Sequence, residues 1–497
     1  MSIFRTKSID ALIAASEDPA KKLRRTLGPW SLTAFGIGAV IGSGIFILTG
    51  TAAAGETLHY KSILHAPVMD LILHGSNTLA TTGRPGAGPG ISLSFLLTAF
   101  ACSFAALCYA ELASMIPIAG SAYTYAYATL GELIAWIIGW DLILEYAVSN
   151  MAVAAGFSGY LKDVLENLFG LHLPAKLSAP PIVGDHFTGA WFNLPALLIL
   201  LILTYILVIG VRESAGTNNA MVAIKVAAIL IFVLGAARAV NTANWHPFLP
   251  NGFSGVLTGS AIVFFTYIGF DSVSTAAEEC RRPQRDLPFG IIMTLVICAV
   301  LYISVALVLT GIAPWRSLTG EAPVADALKA LGYNGIRRWV SIGAILGMIS
   351  SLLVFQYGQA RIWFAMSRDG LLPKAFSKVH AVHKTPHVST WIAGLVVGIP
   401  AGILDIGTFA DLANIGTLFA FILVSVGVIV LRRKQPHRPR GFRVPGSPWL
   451  PMVSIGFCLV LMMALPLETW VRFFVWLIIG FAIYFPFGRK HSALAGM

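Results

Sequence analysis

Charge is scarce in this chain of 497 residues. Asp, Glu, Lys and Arg together make up 11% of it, against about 25% in soluble globular proteins. A surface facing water cannot be built from so little charge, which excludes a soluble enzyme or binding module of this length. Cysteine is also rare, with five in all and no CxxC pair. Cys102, Cys108, Cys298 and Cys458 fall in apolar runs and Cys280 in a basic segment. Neither a structural disulfide nor a zinc site is expected from them. The first thirty residues lack a short apolar core followed by a small-residue cleavage site, so no secretory signal is expected. No stretch is a candidate soluble domain; the longest segment outside the apolar runs is 56–90.

What remains is apolar. Hydrophobic residues make up 57% and the mean hydropathy is +0.78. Runs of about 20 apolar residues cross a bilayer as helices. Twelve are counted, near 31–54, 91–115, 130–160, 194–211, 217–239, 254–276, 287–313, 336–366, 389–404, 407–431, 448–467 and 469–487. The fold class is therefore an all-α integral membrane protein whose main partner is the lipid bilayer. With both termini cytoplasmic, 22 of the 34 Lys and Arg residues lie in inside segments and 10 in outside loops. That bias supports the orientation. It also accounts for most of the net charge of +11, so nucleic acid is not needed as a partner.

Residues 36–46 read GIGAVIGSGIF, four glycines at the middle of the first span. Each costs roughly 1 kcal/mol relative to alanine in a helix. A phosphate loop would need a strand before it, and there is none. Gly38 and Gly42 form a GxxxG that lets helices pack closely, which leaves Gly36, Ser43 and Gly44 unaccounted for. The third reading is a helix meant to be broken. Transporters built from inverted repeats place their site at discontinuous helices in matching positions of the two halves. If spans 1–5 form one repeat, span 6 holds the second break, and there Gly269 and Asp271 lie within the aromatic run Phe264, Phe265, Tyr267, Phe270.

Three motifs, GIGAVIGSGIFILTGTAAA at 36–54, FFTYIGFDSVSTAAEECRRPQRDLP at 264–288 and YGQARIWFAMSRDGLLP at 357–373, resemble the amino acid–polyamine–organocation transporters. Within them the likeness is to the cationic amino acid transporter branch, of the bacterial type. It covers about 26–489 apart from 56–90. The resemblance implies twelve transmembrane helices in a 5+5 inverted repeat, with helices 1 and 6 discontinuous and two helices appended. The chain then divides into a cytoplasmic segment 1–29, a first repeat 30–239 carrying the outside insertion 56–90, a second repeat 240–433, and 434–497 with the last two spans and a short tail. It implies a carrier in the cell (inner) membrane and no enzyme, metal or cofactor.

A break near Ile41–Gly44 frees amides at a helix start, which carries partial positive charge and binds anions. The amides of Gly42, Ser43 and Gly44, with the Ser43 hydroxyl, suit an α-carboxylate. The carbonyls of Val40, Ile41, Phe265 and Ile268 suit an α-ammonium, and the resemblance carries these positions over. Phe270 belongs to the same break.

Lys225 lies about eight residues into span 5. Either it snorkels to the interface or it is buried near the site and cycles a proton. The resemblance favours the second, because sodium-independent members place a lysine where sodium-coupled ones bind the ion. Glu145 in span 3 either hydrogen-bonds a neighbouring helix or faces the pocket, and Asp141 shares its face. Asp271 either braces the break or touches substrate, and Met348 and Ser351 are candidate pocket residues.

His380, His383 and His387 read as a solvated loop. His59, His65 and His74 lie in the insertion, which reads as a short helix and a Gly/Pro-rich loop that covers the outer mouth or meets a membrane partner. The run EECRRPQRDLP either gates the inner side or serves only topology. The functional expectation is proton-coupled symport of an α-amino acid by alternating access. The alternatives are an exchanger or facilitator, or an amino acid sensor on a transporter fold.

Overall fold

The computed structural model describes residues 5–10, 13, 27–56, 62–75, 83–118, 120–183, 186–210, 215–383 and 385–494. His59 and Arg212 lie outside the described residues. Each apolar run becomes helical. The first is split into α1 (Pro29–Val40) and α2 (Gly44–Ala54). After α3 (Val68–His74) come α4 (Ile91–Met115), α5 (Ser121–Thr129), α6 (Glu132–Phe169), α7 (Leu194–Ile209) and α8 (Ala215–Ala236). The second half holds α9 (Gly252–Val263), α10 (Pro283–Ile312), α11 (Pro323–Ala330), α12 (Asn334–Arg368), α13 (His387–Ala401) and α14 (Ile406–Lys434). Last are α15 (Trp449–Met463) and α16 (Leu467–Ile483). Among the described residues the only sheet pairs Ile182 with Phe187 and Val183 with His186.

Eight stretches are long and apolar enough to cross a membrane, and α1 with α2 form a further bent pair. The helices α7, α13 and α15 are apolar but only 16, 15 and 15 residues long. The expected run 130–160 is extended by α6 to 38 residues. At a rise of 1.5 Å per residue that is roughly 57 Å, well beyond one hydrocarbon core. Burial on every side explains why this helix shows little amphipathic pattern; Trp136, Asp141, Tyr160 and most residues between them are buried.

The core is arranged around α6, against which α12 and α14 pack, while α10 packs on α4 and on α1. Both chain ends meet at the α6 N-terminus. The Arg5 carbonyl accepts from the Glu132 amide at 2.9 Å, and the Ser492 hydroxyl donates to the Glu132 carboxylate at 2.7 Å. Nearby, Lys7 pairs with Asp369 at 2.7 Å. The run at 278–288 pairs by backbone: Leu27 and Cys280 form a parallel bridge.

Residues 56–90 are an ordered clasp wherever described. Arg84, 4% exposed, donates to Glu56 at 2.8 and 2.5 Å and to Asp411 of α14 at 2.9 Å. Burial opposes the guanidinium charge, and the carboxylates of Asp411 and Glu56 overcome that and raise its pKa. The Ala87 amide reaches the Ala52 carbonyl of α2, and Asn251 donates to the Gly86 carbonyl. Farther along, the segment docks on the α15–α16 turn through the Val68 amide to the Leu465 carbonyl and an ion pair of His65 with Glu468 at 3.5 Å. A short helix is found where one was expected, and the Gly/Pro-rich part is packed into the protein.

Candidate functional site

Two interruptions face each other at the centre of the molecule. α1 stops at Val40, Ile41–Ser43 leave the helix, and α2 restarts at Gly44 with a bend of 48°. α9 tightens into a 3₁₀ turn over Phe264–Tyr267. Ile268 is then extended, Gly269 takes φ +117°, and a second 3₁₀ stretch runs Phe270–Glu279. Only glycine adopts that φ without strain.

The two breaks are in contact. A Cβ at Gly269 would stand 3.1 Å from the Ala39 carbonyl carbon, and one at Gly44 would stand 2.8 Å from Thr266 Cγ2. The glycines thus divide their work. Gly36 admits Thr294 of α10 in ordinary helix packing, whereas Gly44 and Gly269 let the two breaks close on one another. Gly44→Ala is therefore expected to lower solute uptake by about tenfold or more, a loss of about 1.4 kcal/mol. Gly456→Ala, where a Cβ meets nothing within 4 Å, serves as the control and is expected to leave uptake unchanged.

The frayed carbonyls of α1 are tied by three side chains. Lys225 Nζ donates to Gly38 O at 2.6 Å and to Ile41 O at 2.9 Å. The Ser351 hydroxyl shares its one proton between Gly38 O at 3.2 Å and Ile41 O at 3.1 Å, and the Tyr302 hydroxyl donates to Val40 O at 3.1 Å. Lys225 is fully buried, so it points inward to the break and does not snorkel to an interface. A carbonyl has two lone pairs. Both are engaged at Ile41 in this conformation, and at Val40 too, which accepts from the Tyr302 hydroxyl and the Gly42 amide.

Among the expected donors, the Gly42 amide turns back to Val40 O at 3.0 Å. The Ser43 hydroxyl is buried and has no protein partner among the described residues. The Phe265 carbonyl accepts from the Ile268 amide at 3.2 Å. Tyr302 was missed by the sequence reading; a lone phenol in the apolar run CAVLYISVALVLT was the available signal.

The remaining candidates divide. Asp271 turns back on the second break: its carboxylate lies by the amides opening the 3₁₀ stretch, and the Ser121 hydroxyl donates to it at 3.5 Å. That is bracing geometry. Glu145 lies near Thr417 of α14, whose hydroxyl donates to the Ala413 carbonyl at 3.0 Å, and close to Asp271. Phe270 packs edge-on against Tyr109 at 6.0 Å and beside Phe421 at 5.1 Å. Met348 is buried on α12 next to Gly347, against which the Lys225 stem packs. His383 is exposed, and the Val382 and His383 amides donate to His380 Nδ1. No group of His, Cys, Asp and Glu suited to a metal occurs among the described residues.

The arrangement offers a buried hydroxyl, carbonyl acceptors and a cation beside two broken helices, and nothing that resembles a nucleophile–base pair. Residues 27–484 match the family model described as amino acid permease. The chain is 48% identical, over 99% of both chains, to the branched-chain amino acid permease BcaP of Bacillus subtilis (strain 168). It is 46% identical, over 99% of both chains, to the methylthioribose transporter of the same organism. The chloroplastic cationic amino acid transporter 9 of Arabidopsis thaliana is 33% identical, over 99% of this chain and 93% of the plant one.

Proposed function

Because the chain belongs to the amino acid permease family, we propose that it is a proton-coupled symporter of neutral α-amino acids working by alternating access. The observation that carries this reading is the pair of facing breaks with the unpartnered Ser43 hydroxyl between them. Ser43 and the amides opening α2 hold the carboxylate, at a helix start that favours negative charge. Phe265 and Ile268 offer carbonyls to the ammonium; Val40 joins them only when Tyr302 or the Gly42 amide lets go, and Ile41 only when Lys225 or Ser351 does.

Twelve crossings are counted by adding α7, α13 and α15 to the long spans and the bent pair, in two inverted repeats (30–239 and 240–433) with α15 and α16 appended. Both termini are cytoplasmic in this reading, supported by the excess of Lys and Arg on that side. The membrane is the cell membrane.

Apolar neighbours favour an aliphatic substrate side chain. Val153 touches the Gly42 position, Met348 is buried one turn before Ser351 on α12, and both nearby carboxylates are turned elsewhere: Asp271 to its own 3₁₀ stretch and Glu145 towards α14. The 48% relative, named for branched-chain amino acids, agrees with that. A cationic side chain would need one of those carboxylates released.

Coupling runs through Lys225. Its ammonium donates to Gly38 and Ile41; loss of the proton weakens that tie and loosens the α1 break. A second reading, an uncharged sugar thioether as substrate, follows from the 46% relative's name, and hydroxyl and carbonyl groups at the breaks suit it chemically. Proteoliposome uptake of labelled leucine, alanine, arginine and methylthioribose, with and without an inward proton gradient, decides among them. Gradient-stimulated leucine uptake is expected. Uptake indifferent to the gradient would point to an exchanger, and specific binding without transport to a sensor.

A further inference from the structure

Asp141 is the buried acid that neither break employs. It is fully buried on α6, and neither carboxyl oxygen has a hydrogen-bond partner among the described residues. Its carboxyl is pressed against α14: a Cβ at Gly416 would stand 2.7 Å from Asp141 Oδ1. One turn along, Glu145 lies near Thr417, the next residue of α14, whose hydroxyl donates to the Ala413 carbonyl at 3.0 Å. Two carboxyls thus lie against one turn of α14. Asp141 is the one nearer the α6 N-terminus, where both chain ends gather.

Among the described residues nothing cationic reaches it. On its own helix, Glu145 is the titratable neighbour, while Glu132 is bound by Tyr484 and Ser492. From α14, Asp411 pairs with Arg84 and Arg432 with Glu111. From α12, Arg337 pairs with Asp163, while Arg361 lies over Tyr357 and Arg368 over Phe364. From α5, Tyr123 and Tyr127 donate to Asp369 and Glu132, and Tyr125 lies towards Asp271. The packed faces of α7 and α13 add only Tyr205, which is exposed, and His387 at the helix end; Glu468 of α16 pairs with Arg472. A carboxylate buried without a cation or donor costs several kcal/mol, so such groups take up a proton instead.

We propose that Asp141 carries a proton through the closed state, so that the α6–α14 contact at Gly416 forms only when its carboxyl is neutral. This rests on the proton-coupled reading above. The step is a proton transfer alone: opening of the termini-side face wets the carboxyl, its O–H proton passes to water, and the carboxylate left behind opposes reclosure until it is reprotonated.

The test uses the full chain in proteoliposomes, with Asp141→Asn and the apolar Asp141→Leu, whose neutral side chains mimic the protonated form. Two variants guard against one failing to fold. Leucine counterflow is expected to persist within about threefold of wild type and to lose its pH dependence, while gradient-driven accumulation falls about tenfold. A merely structural Asp141 would alter yield or melting and leave the pH profile of counterflow in place, and that result overturns the proposal. So does either folded variant accumulating leucine like wild type. Wild type that ignores the gradient overturns the coupling itself, which is distinguishable because the fault then lies in the unmutated protein.

Discussion

Lys225→Ala is expected to reduce gradient-driven uptake by about 100-fold, the equivalent of about 2.7 kcal/mol, while the protein stays folded. The side chain makes two charge-assisted hydrogen bonds to Gly38 O and Ile41 O, each contributing about 1.5–3 kcal/mol when donor or acceptor is charged. The Ser351 hydroxyl lies within hydrogen-bonding distance of both carbonyls and can give its one proton to either, so the truncation leaves one of them a donor and the break persists. What disappears is the ammonium that holds α1 and can change its charge by shedding a proton. Substrate binding, followed by isothermal titration calorimetry, should therefore survive far better than accumulation. Equal loss of both would assign Lys225 to binding alone. Lys225→Arg, cationic and effectively never deprotonated, should keep binding and fail in net uptake, which separates charge from proton exchange.

The second large effect is expected at the outer clasp. Arg84→Ala leaves Asp411 and Glu56 facing each other, with Asp411 5% exposed. Breaking a buried ion pair on one side costs about 3–5 kcal/mol. The apparent unfolding temperature in detergent should fall by several degrees, with less loss at acid pH, where the stranded carboxylates are protonated. Arg84→Ala combined with Asp411→Asn should recover much of that loss, since one of the two stranded charges is gone. If the double variant melts as low as the single one, the clasp acts through the backbone contacts of Gly86 and Ala87 and not through charge.

Much of this architecture was readable in the sequence. Apolar runs marked every major helix, glycine density marked the first break, and the expectation of a matching interruption in span 6, with Gly269 at its middle, marked the second. What could not be read was direction. A lysine eight residues into a span reaches either the interface or the core, and no periodicity on a helix such as α6, buried all round, settles which way a side chain points. The partners of the frayed carbonyls were hidden for the same reason: Tyr302 and Ser351 come from other helices, and only tertiary packing brings them to Val40 and Ile41. Asp271, weighed equally as brace and ligand, has the geometry of a brace, because its side chain returns to the turn that it follows. The insertion was misjudged in weight. Its Gly/Pro-rich part looked like a loose loop, yet small residues there allow the backbone to lie directly on α2, and a single arginine 28 residues from Glu56 closes the segment into a clasp.

The short helices α7 and α13 lie side by side. At 16 and 15 residues they reach roughly 24 Å, against a hydrocarbon core of about 30 Å. Their lipid-facing residues Leu198, Ile202, Leu395 and Ile399 are among the exposed apolar side chains. On the twelve-crossing reading proposed above, bilayer thickness on this flank yields to the protein, at a cost of fractions of a kcal/mol per Å of mismatch. One side of the carrier pinches the membrane and the opposite side, built on longer helices, does not. Acyl-chain length then becomes a variable of transport. Reconstitution into bilayers of graded thickness should tilt the balance between open and closed forms with no change in pH or substrate.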